Sequence, residues 1–355
     1  MSRYKEGVGI LDGVGDEILS LVLDRTTSSK WAEWLETPLE HAASTGNYEL
    51  VDKLLRAGAN ASAGSRGTGG KTLLHAAAEG GSEQVMSTFI MTGADDIDVQ
   101  TSWGSRAPLH IAAARGFQAA AKVLMLAGAD VQVYDVYNDS PLHVALEGGH
   151  VELVKDLLLS GAEHDVRGSK GHYPIHLAVR SGQDEAVLAL VQNRALLDCY
   201  DAEGETPLRL ALRADRLSTV KILLAGGADP SFHIESRALC GLTPLFMSAF
   251  HGSCSAMSAL LDAGANIHAD CDLERTPLHA ACLKGHPDAA DLLLRRGADE
   301  LFADEIGVLA IEVIPDIVKA PAKDHPRLAR LFKILNNAPQ DRVWRRRGFL
   351  VMCRA

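Results

Sequence analysis

The chain has 355 residues, of which 47% are hydrophobic, 23% are charged and only 5% are aromatic. This composition excludes a disordered chain, and the scarcity of rings favours closely packed short helices over a β-sandwich. Lys and Arg total 35 against 46 Asp and Glu, and the net charge of −11 argues against binding nucleic acid or anionic lipid as a whole. Any basic site must therefore be local.

The start of the chain and its cysteines bear on its compartment. Met1 to Gly9 lack the apolar core of a signal peptide, and no window reaches about 18 consecutive apolar residues. The six cysteines include no Cys-x-x-Cys pair and none precedes Cys199, so a disulfide framework is not indicated. We expect a cytoplasmic protein with free thiols, a nuclear location being the alternative.

Residues 1–36 are predicted to form an N-terminal capping segment with one helix. Asp16 to Leu23 make an amphipathic stretch that would cover the exposed apolar side of the structure that follows. The alternative is a degraded resemblance to the opening helix of an F-box, a segment found in ubiquitin-ligase adaptors.

From residue 37 onward, one short motif recurs eight times at spacings of 33 to 37 residues. Its full form is Thr-Pro-Leu-His, as at Thr276 to His279. Thr or Ser before Pro predicts a helix start, because the hydroxyl accepts from a free amide and proline suits the first helical position. The second motif position is occupied by Pro38, Leu73, Pro108, Pro141, Pro174, Pro207, Pro244 and Pro277.

Each unit continues with the same two-helix pattern. The first helix carries small residues such as Ala112 and Ala113, and the second has apolar residues at i, i+3 and i+4, as in Val154, Leu157 and Leu158. A glycine then supplies the left-handed residue that ends the second helix. These glycines are Gly58, Gly93, Gly128, Gly161, Gly227, Gly264 and Gly297. One unit cannot bury both of its apolar flanks alone, so neighbouring units must stack.

At these motifs the chain resembles the ankyrin-repeat family, over roughly residues 37 to 336. The resemblance implies an all-α ankyrin-repeat solenoid of about eight to nine helix-turn-helix units with β-hairpin-like turns, plus terminal capping helices. Residues 37–300 would form eight repeats, and residues 301–340 a degenerate ninth repeat that serves as the C-terminal cap. The resemblance also implies a structural hydrogen bond, between the motif threonine and an adjacent turn, for His75, His110, His143, His176 and His279.

The fifth to seventh repeats depart most from the motif. Arg194 stands where the fifth repeat should have its terminal glycine, which costs stability unless Asn193 takes the left-handed conformation or the helix ends differently. Arg209 and Phe246 replace the motif histidine in the sixth and seventh repeats, and the turn before the seventh has four extra residues. We expect the weakest interface between repeats in this stretch.

No constellation typical of an enzyme is found. Ser65 to Thr72 approaches the phosphate-binding loop pattern, but Ser65 stands where that pattern needs glycine and no apolar strand precedes it. No nucleophile, base and orienting acid lie at a recognisable spacing, and both flanks are too short for a separate catalytic domain. We therefore expect no enzyme activity, no cofactor and no metal site.

Residues 341–355 form a basic and apolar tail, in which three consecutive arginines follow Trp344 and precede Phe349. The tail could dock onto the acidic repeats as an end cap, anchor the chain to a membrane or nucleic acid, or act as a nuclear import signal. We favour docking, so deleting the tail should lower the melting temperature.

By resemblance, the protein is a non-enzymatic scaffold that binds a protein or peptide along the concave face formed by hairpins and inner helices. The alternative is a substrate-recruiting adaptor subunit of a ubiquitin ligase. We expect a monomer without a small-molecule substrate and, apart from the tail, without nucleic acid or membrane binding. The family pattern puts these partner-binding candidates at hairpin tips and first-helix ends: Trp103, Arg106, Arg115, Tyr137, Asp139, Glu147, Lys170, His172, Arg180, Glu203, Glu205, Arg213, Phe250, His251, Leu273, Arg275 and Lys284.

Two features of this set indicate how a partner would bind. An exposed Trp103 with tyrosine and arginine nearby is the composition that dominates interface energetics, although Trp103 could instead pack back onto its own hairpin. The recurrence of arginine on one side favours an acidic stretch in the partner. These arginines are Arg106, Arg115, Arg180 and Arg213.

Overall fold

The computed structural model describes residues 32–61, 69–93, 96–232, 242–269, 271, 274–313, 329–331 and 333–336. Within these ranges it contains eight consecutive pairs of α-helices, further helical residues at 329–331 and 333–336, one short 3₁₀ turn and no β-strand. The predicted all-α class is therefore confirmed. The predicted N-terminal helix, residues 65–68 of the loop that approaches the phosphate-binding pattern, and the C-terminal tail lie outside the described residues.

Each helix pair corresponds to one copy of the sequence motif. The pairs are α1 Ala32–Ser44 with α2 Tyr48–Arg56, α3 Leu73–Gly80 with α4 Glu83–Met91, α5 Pro108–Arg115 with α6 Gln118–Leu126, α7 Pro141–Gly148 with α8 Val151–Leu159, α9 Pro174–Ser181 with α10 Asp184–Gln192, α11 Pro207–Arg213 with α12 Leu217–Ala225, α13 Pro244–His251 with α14 Cys254–Asp262, and α15 Pro277–Lys284 with α16 Pro287–Arg295. Residues 1–193 and residues 194–355 form two compact units, which hold the first five and the last three of these pairs.

Within each unit, like helices pack on like helices. The first helix of a pair contacts the first helix of the next pair, as α5 contacts α3 and α7, and second helices such as α6 and α8 contact each other in the same way. Small residues make this close approach possible, since Ala112 and Ala113 of α5 are fully buried. Leu124 and Leu157 of the second helices fill the layer behind them.

The first helices begin as the motif predicts in most repeats. Six of them, from α5 onward, start with proline at the first helical position, where its missing N–H costs nothing. The first repeat differs, because α1 already begins at Ala32 and Pro38 lies inside the helix. The predicted helix start at Pro38 is therefore wrong. The residues before it, Ala32 to Glu36, are good helix formers that extend the helix upstream of the proline.

The glycines after the second helices adopt the predicted left-handed conformation, with φ from 72° to 102°. At the end of the fifth repeat Arg194 itself takes this conformation, with φ of 64°, whereas Asn193 has φ of −84°. The alternative that Asn193 would take it is wrong. A non-glycine residue thus bears the strain that glycine avoids in the other repeats.

The ninth unit begins with a turn, and its described residues 329–331 and 333–336 are helical. The Gly307 N–H donates to the Asp304 carbonyl at 2.8 Å, and Ala303 and Leu309 form an isolated antiparallel bridge. In the described ranges, no helix has the length and apolar character needed to cross a membrane.

Candidate functional site

The motif histidines are held inside the repeats by hydrogen bonds to backbone groups. The Nδ1 atom of His75 accepts from the Thr72 N–H at 3.0 Å, so the opposite Nε2–H donates to the carbonyl of Arg106 in the next linker at 2.9 Å. Burial is the main cause that lowers the pKa of four such rings, and it favours their neutral form. They are His75, His110, His143 and His279.

The predicted structural role is therefore confirmed for these four histidines. The fifth repeat differs, because Tyr173 precedes α9 and this helix has no side-chain hydrogen bond at its N-cap. His176 is nevertheless fully buried. Among the residues that the structure describes, no three His, Cys, Asp or Glu side chains are grouped so that they could hold a metal ion.

The linkers before α5 and α7 carry the most exposed aromatic side chains near the motif. Trp103 is 83% exposed and Tyr137 is 64% exposed, with Val136 beside it at 59%. The Val136 N–H donates to the Gly104 carbonyl at 3.1 Å, which fixes the two linker tips next to each other. Trp103 does not pack back onto its own hairpin, since it stands over Gly69 of the preceding linker.

Beneath Trp103, the second and third repeats enclose a shallow depression of about 400 Å³. Its apolar wall consists of Trp103, Ile111 and Ala114. Its charged lining consists of three cationic side chains and one carboxylate, namely Lys71, Arg106, Arg115 and Glu79. We call the depression and the two linker tips above it the hairpin face.

The predicted partner-binding residues fall into four groups by exposure. In residues 1–193 the exposed ones are Trp103, Arg115, Tyr137, Glu147, Lys170 and Arg180. In residues 194–355 the exposed ones are Glu203, Arg213, His251 and Lys284. Arg106, Phe250 and Arg275 are partly buried, and Asp139, His172 and Glu205 are buried. Leu273 lies outside the described residues.

The expectation that all of these side chains are exposed is wrong for the three buried ones. The Asp139 carboxylate accepts the Ser169 N–H of the next linker at 2.7 Å. His172 lies 3.2 Å from the Arg180 guanidinium, measured from Nε2 to Nη1. The buried polar side chains of the linkers thus contact other groups of the same chain, because a buried polar group needs a hydrogen-bond partner within the protein.

The predicted row of arginines is mostly engaged within the protein. Arg106 lies 3.4 Å from the buried Asp135 carboxylate, and Arg213 lies 3.1 Å from Glu205. Arg115 is exposed and has no carboxylate partner among the described residues. In residues 194–355 the Arg275 guanidinium pairs with Asp304 at 3.1 Å.

The predicted partner-binding residues do not include Lys71, Glu79 or Ile111 of the depression. Lys71 and Glu79 could have been predicted from their spacing of eight residues. The residue before the N-cap and the residue about two turns into the helix lie on the same side of the repeat, so their side chains can meet. Lys71 and Glu79 make an ion pair at 2.5 Å in this way, and Glu205 and Arg213 repeat the arrangement with the charges exchanged. Ile111 gives no such signal, since its exposure depends on how the linkers pack.

Comparisons with known proteins agree on the kind of repeat. The family model described as "Ankyrin repeats (3 copies)" matches residues 39–135, 74–168, 142–234 and 229–304. Two solved structures are similar to the chain: the human ASB11 ankyrin repeat domain, with a TM-score of 0.52 and 26% identity, and the ankyrin repeat domain of Bcl-3, with 0.55 and 25%. They cover 66% and 65% of this chain and 98% of their own.

Sequence relatives match shorter parts of the chain. Human protein phosphatase 1 regulatory subunit 27 is 33% identical over 93 residues, which are 26% of this chain and 56% of that protein. The E3 ubiquitin-protein ligase KEG of Arabidopsis thaliana is 34% identical over 100 residues, which are 28% of this chain and 6% of that protein. The chain thus spans about half of the human relative and a small part of the plant one. Because the family model covers most of the chain at the predicted repeats, the chain belongs to the ankyrin-repeat family.

Proposed function

We propose that this protein binds a protein partner through the hairpin face and has no enzymatic activity of its own. Ankyrin repeats imply a protein-protein interaction scaffold, and the human relative is named as a regulatory subunit. Beyond this general role, we place the partner on the hairpin face. The observation that supports it most is that Trp103 and Tyr137 are exposed on two hydrogen-bonded linker tips.

Exposed aromatic rings on a rigid support suit partner binding. Trp and Tyr offer a large contact area at a small entropic cost, and together with Arg they are enriched among the residues that dominate binding energy. The tips are held by backbone hydrogen bonds, as when the Ser102 N–H donates to the Gly69 carbonyl at 2.8 Å. A partner would therefore meet a surface that is largely preorganised.

The proposal that the protein has no enzymatic activity is supported by how its buried polar residues are used. The histidines with lowered pKa values bond to backbone groups of their own and the next repeat. The buried carboxylates of Asp135 and Asp139 accept linker N–H groups. These side chains hold the repeats in shape, and we assign them no catalytic role.

The proposal is tested by affinity purification of the full chain, followed by mass spectrometry and binding measurements with the recovered partner. We expect Trp103→Ala and Arg115→Glu each to weaken binding by about 1 kcal/mol or more, roughly a fivefold change in Kd. Leu126→Ala is the matched control, because Leu126 is 88% exposed but ends the second helix of the same repeat. Circular dichroism should show that all three variants stay folded.

Unchanged affinity in the double variant Trp103→Ala/Arg115→Glu would contradict the placement of the partner. A loss of binding in Leu126→Ala would instead place the partner on the second helices.

The alternative function, a substrate-recruiting adaptor of a ubiquitin ligase, is favoured by one observation, the plant relative that is named as an E3 ubiquitin-protein ligase. The segment that suggested this alternative, Asp16 to Leu23, lies outside the described residues. Co-purification of ligase core proteins with the full chain, and their loss when residues 1–31 are deleted, would support it over a simple scaffold.

A further inference from the structure

We infer that the depression under Trp103 receives a single carboxylate of the partner beside an apolar side chain, rather than an acidic stretch. This inference rests on the proposed function and names the partner chemistry at its site. It follows from which charges in the depression are already paired.

Of the three cations that line the depression, two are neutralised by the chain itself. Lys71 pairs with Glu79 at 2.5 Å, and Arg106 pairs with Asp135 at 3.4 Å. Arg115, at the end of α5, is exposed and has no carboxylate partner within the described residues. One guanidinium is thus available, and it can bind one carboxylate through two parallel hydrogen bonds.

The wall next to Arg115 is apolar. Trp103, Ile111 and Ala114 line the same depression, and Trp103 exposes most of its surface. An aliphatic or aromatic partner side chain placed there would bury apolar area and keep water from the carboxylate. A partner segment that carries an acidic residue next to an apolar one therefore fits both parts of the depression.

The charge balance favours this partner over nucleic acid. The depression is lined by three cations and one carboxylate in a chain whose net charge is −11, so the positive field is local. Nucleic acid binding needs several unpaired cations along a backbone, because each neutralised phosphate contributes to affinity. One unpaired arginine beside a tryptophan suits a peptide carboxylate instead.

The experiment uses the full chain and three matched peptides, N-acetyl-Leu-Glu-Leu amide, N-acetyl-Leu-Gln-Leu amide and N-acetyl-Ser-Glu-Ser amide. Nuclear magnetic resonance follows the Ile111 methyl group and the Trp103 indole N–H during each titration. We expect saturable shifts with the Leu-Glu-Leu peptide, and affinities about fivefold or more weaker for the other two.

Two variants identify the charge that matters. Arg115→Gln should reduce the affinity for the Leu-Glu-Leu peptide to that of the Leu-Gln-Leu peptide. Lys122→Gln removes one positive charge from the second helix of the same repeat, where Lys122 pairs with Asp156 at 3.1 Å, and should leave the affinity unchanged.

Each other outcome overturns the inference. Equal shifts with the Glu and Gln peptides would show an apolar site without charge selection, and would leave the proposed hairpin face intact. Absence of shifts with all three peptides would remove the depression as a binding site, while the partner purification with Trp103→Ala judges the proposed function separately. A single-stranded oligonucleotide is titrated in the same way, and tighter binding of it than of the Leu-Glu-Leu peptide would show that the depression takes nucleic acid instead.

Discussion

Arg209 occupies the motif position where five of the eight repeats have histidine, and its buried guanidinium is paired with a carboxylate. The side chain is 2% exposed, and its Nε lies 3.0 Å from a carboxylate oxygen of the buried Glu205. Glu205 also pairs with Arg213, which is half exposed. The Nη1 atom of Arg209 is buried without a hydrogen-bond partner. This repeat therefore depends on a buried ion pair.

We predict that Arg209→Met lowers the free energy of unfolding by about 3 kcal/mol or more, because it removes the buried cation that pairs with the buried Glu205 carboxylate. Methionine keeps most of the side-chain volume, so the decrease in the free energy of unfolding measures mainly the loss of the ion pair. Arg213→Met is the control and should cost less than about 1 kcal/mol, since its pair with Glu205 is exposed to solvent. Equal losses in urea unfolding would contradict this account.

The buried histidines make stability depend on pH. Burial lowers the folded-state pKa of four motif histidines below the ordinary value of 6.5. Their contribution is therefore fully present above pH 6.5 and is lost as pH falls below it, because the unfolded chain then binds more protons. We predict a lower urea midpoint at pH 5.5 than at pH 7.5, and a smaller difference in His143→Gln. A midpoint that rises on acidification would contradict the prediction.

The sequence predicted backbone positions better than side-chain exposure. Prolines at the first helical position and glycines after the second helices are set by local conformation, so motif and structure agree there. The burial of Asp139 could not be predicted in this way, because it depends on Ser169, thirty residues further along the chain. The depression could not be predicted from the sequence either, because Ile111 and Trp103 line it only through the packing of neighbouring linkers.

At the scale of the helix, Gly116 at the end of α5 has two reasons to be glycine. Gly116 follows α5 with φ of 71°, and a Cβ atom there would lie 2.3 Å from Nδ1 of His150 in the next repeat. Gly128 follows the second helix with φ of 94°, but a Cβ atom there would meet nothing within 4 Å. The first position combines backbone strain with a clash, and the second has strain alone.

We predict that Gly128→Ala costs about 1 kcal/mol, the usual cost of the left-handed conformation for alanine. Gly116→Ala should cost about 2 kcal/mol or more, because His150 must also move and give up its contact with the Ala114 carbonyl at 3.3 Å. The two free energies of unfolding are compared under the same conditions. Equal costs would show that His150 yields without loss.

At the scale of the whole molecule, the departures from the motif accumulate between residues 172 and 215. In this stretch α9 has no side-chain cap, Arg194 and Asp215 take left-handed conformations without glycine, and Arg209 is buried. The stability of a repeat protein is approximately a sum of terms for each repeat and for each interface between neighbours. A destabilising feature therefore weakens mainly its own repeat and the two adjacent interfaces. A stretch with several such costs should open more often than its neighbours.

We therefore predict that amide hydrogens of α9 to α11 exchange faster than those of α5 to α8, as measured by hydrogen exchange with mass spectrometry. Arg194→Gly should slow exchange in this stretch and stabilise the protein by about 0.5–1 kcal/mol, since glycine adopts a φ of 64° without steric cost. The gain is limited because glycine also adds entropy to the unfolded chain. If residues 172–215 were the part of the protein best protected from hydrogen exchange, the prediction would be wrong. Contacts stronger than those of the regular repeats would then offset the backbone strain and the buried charge.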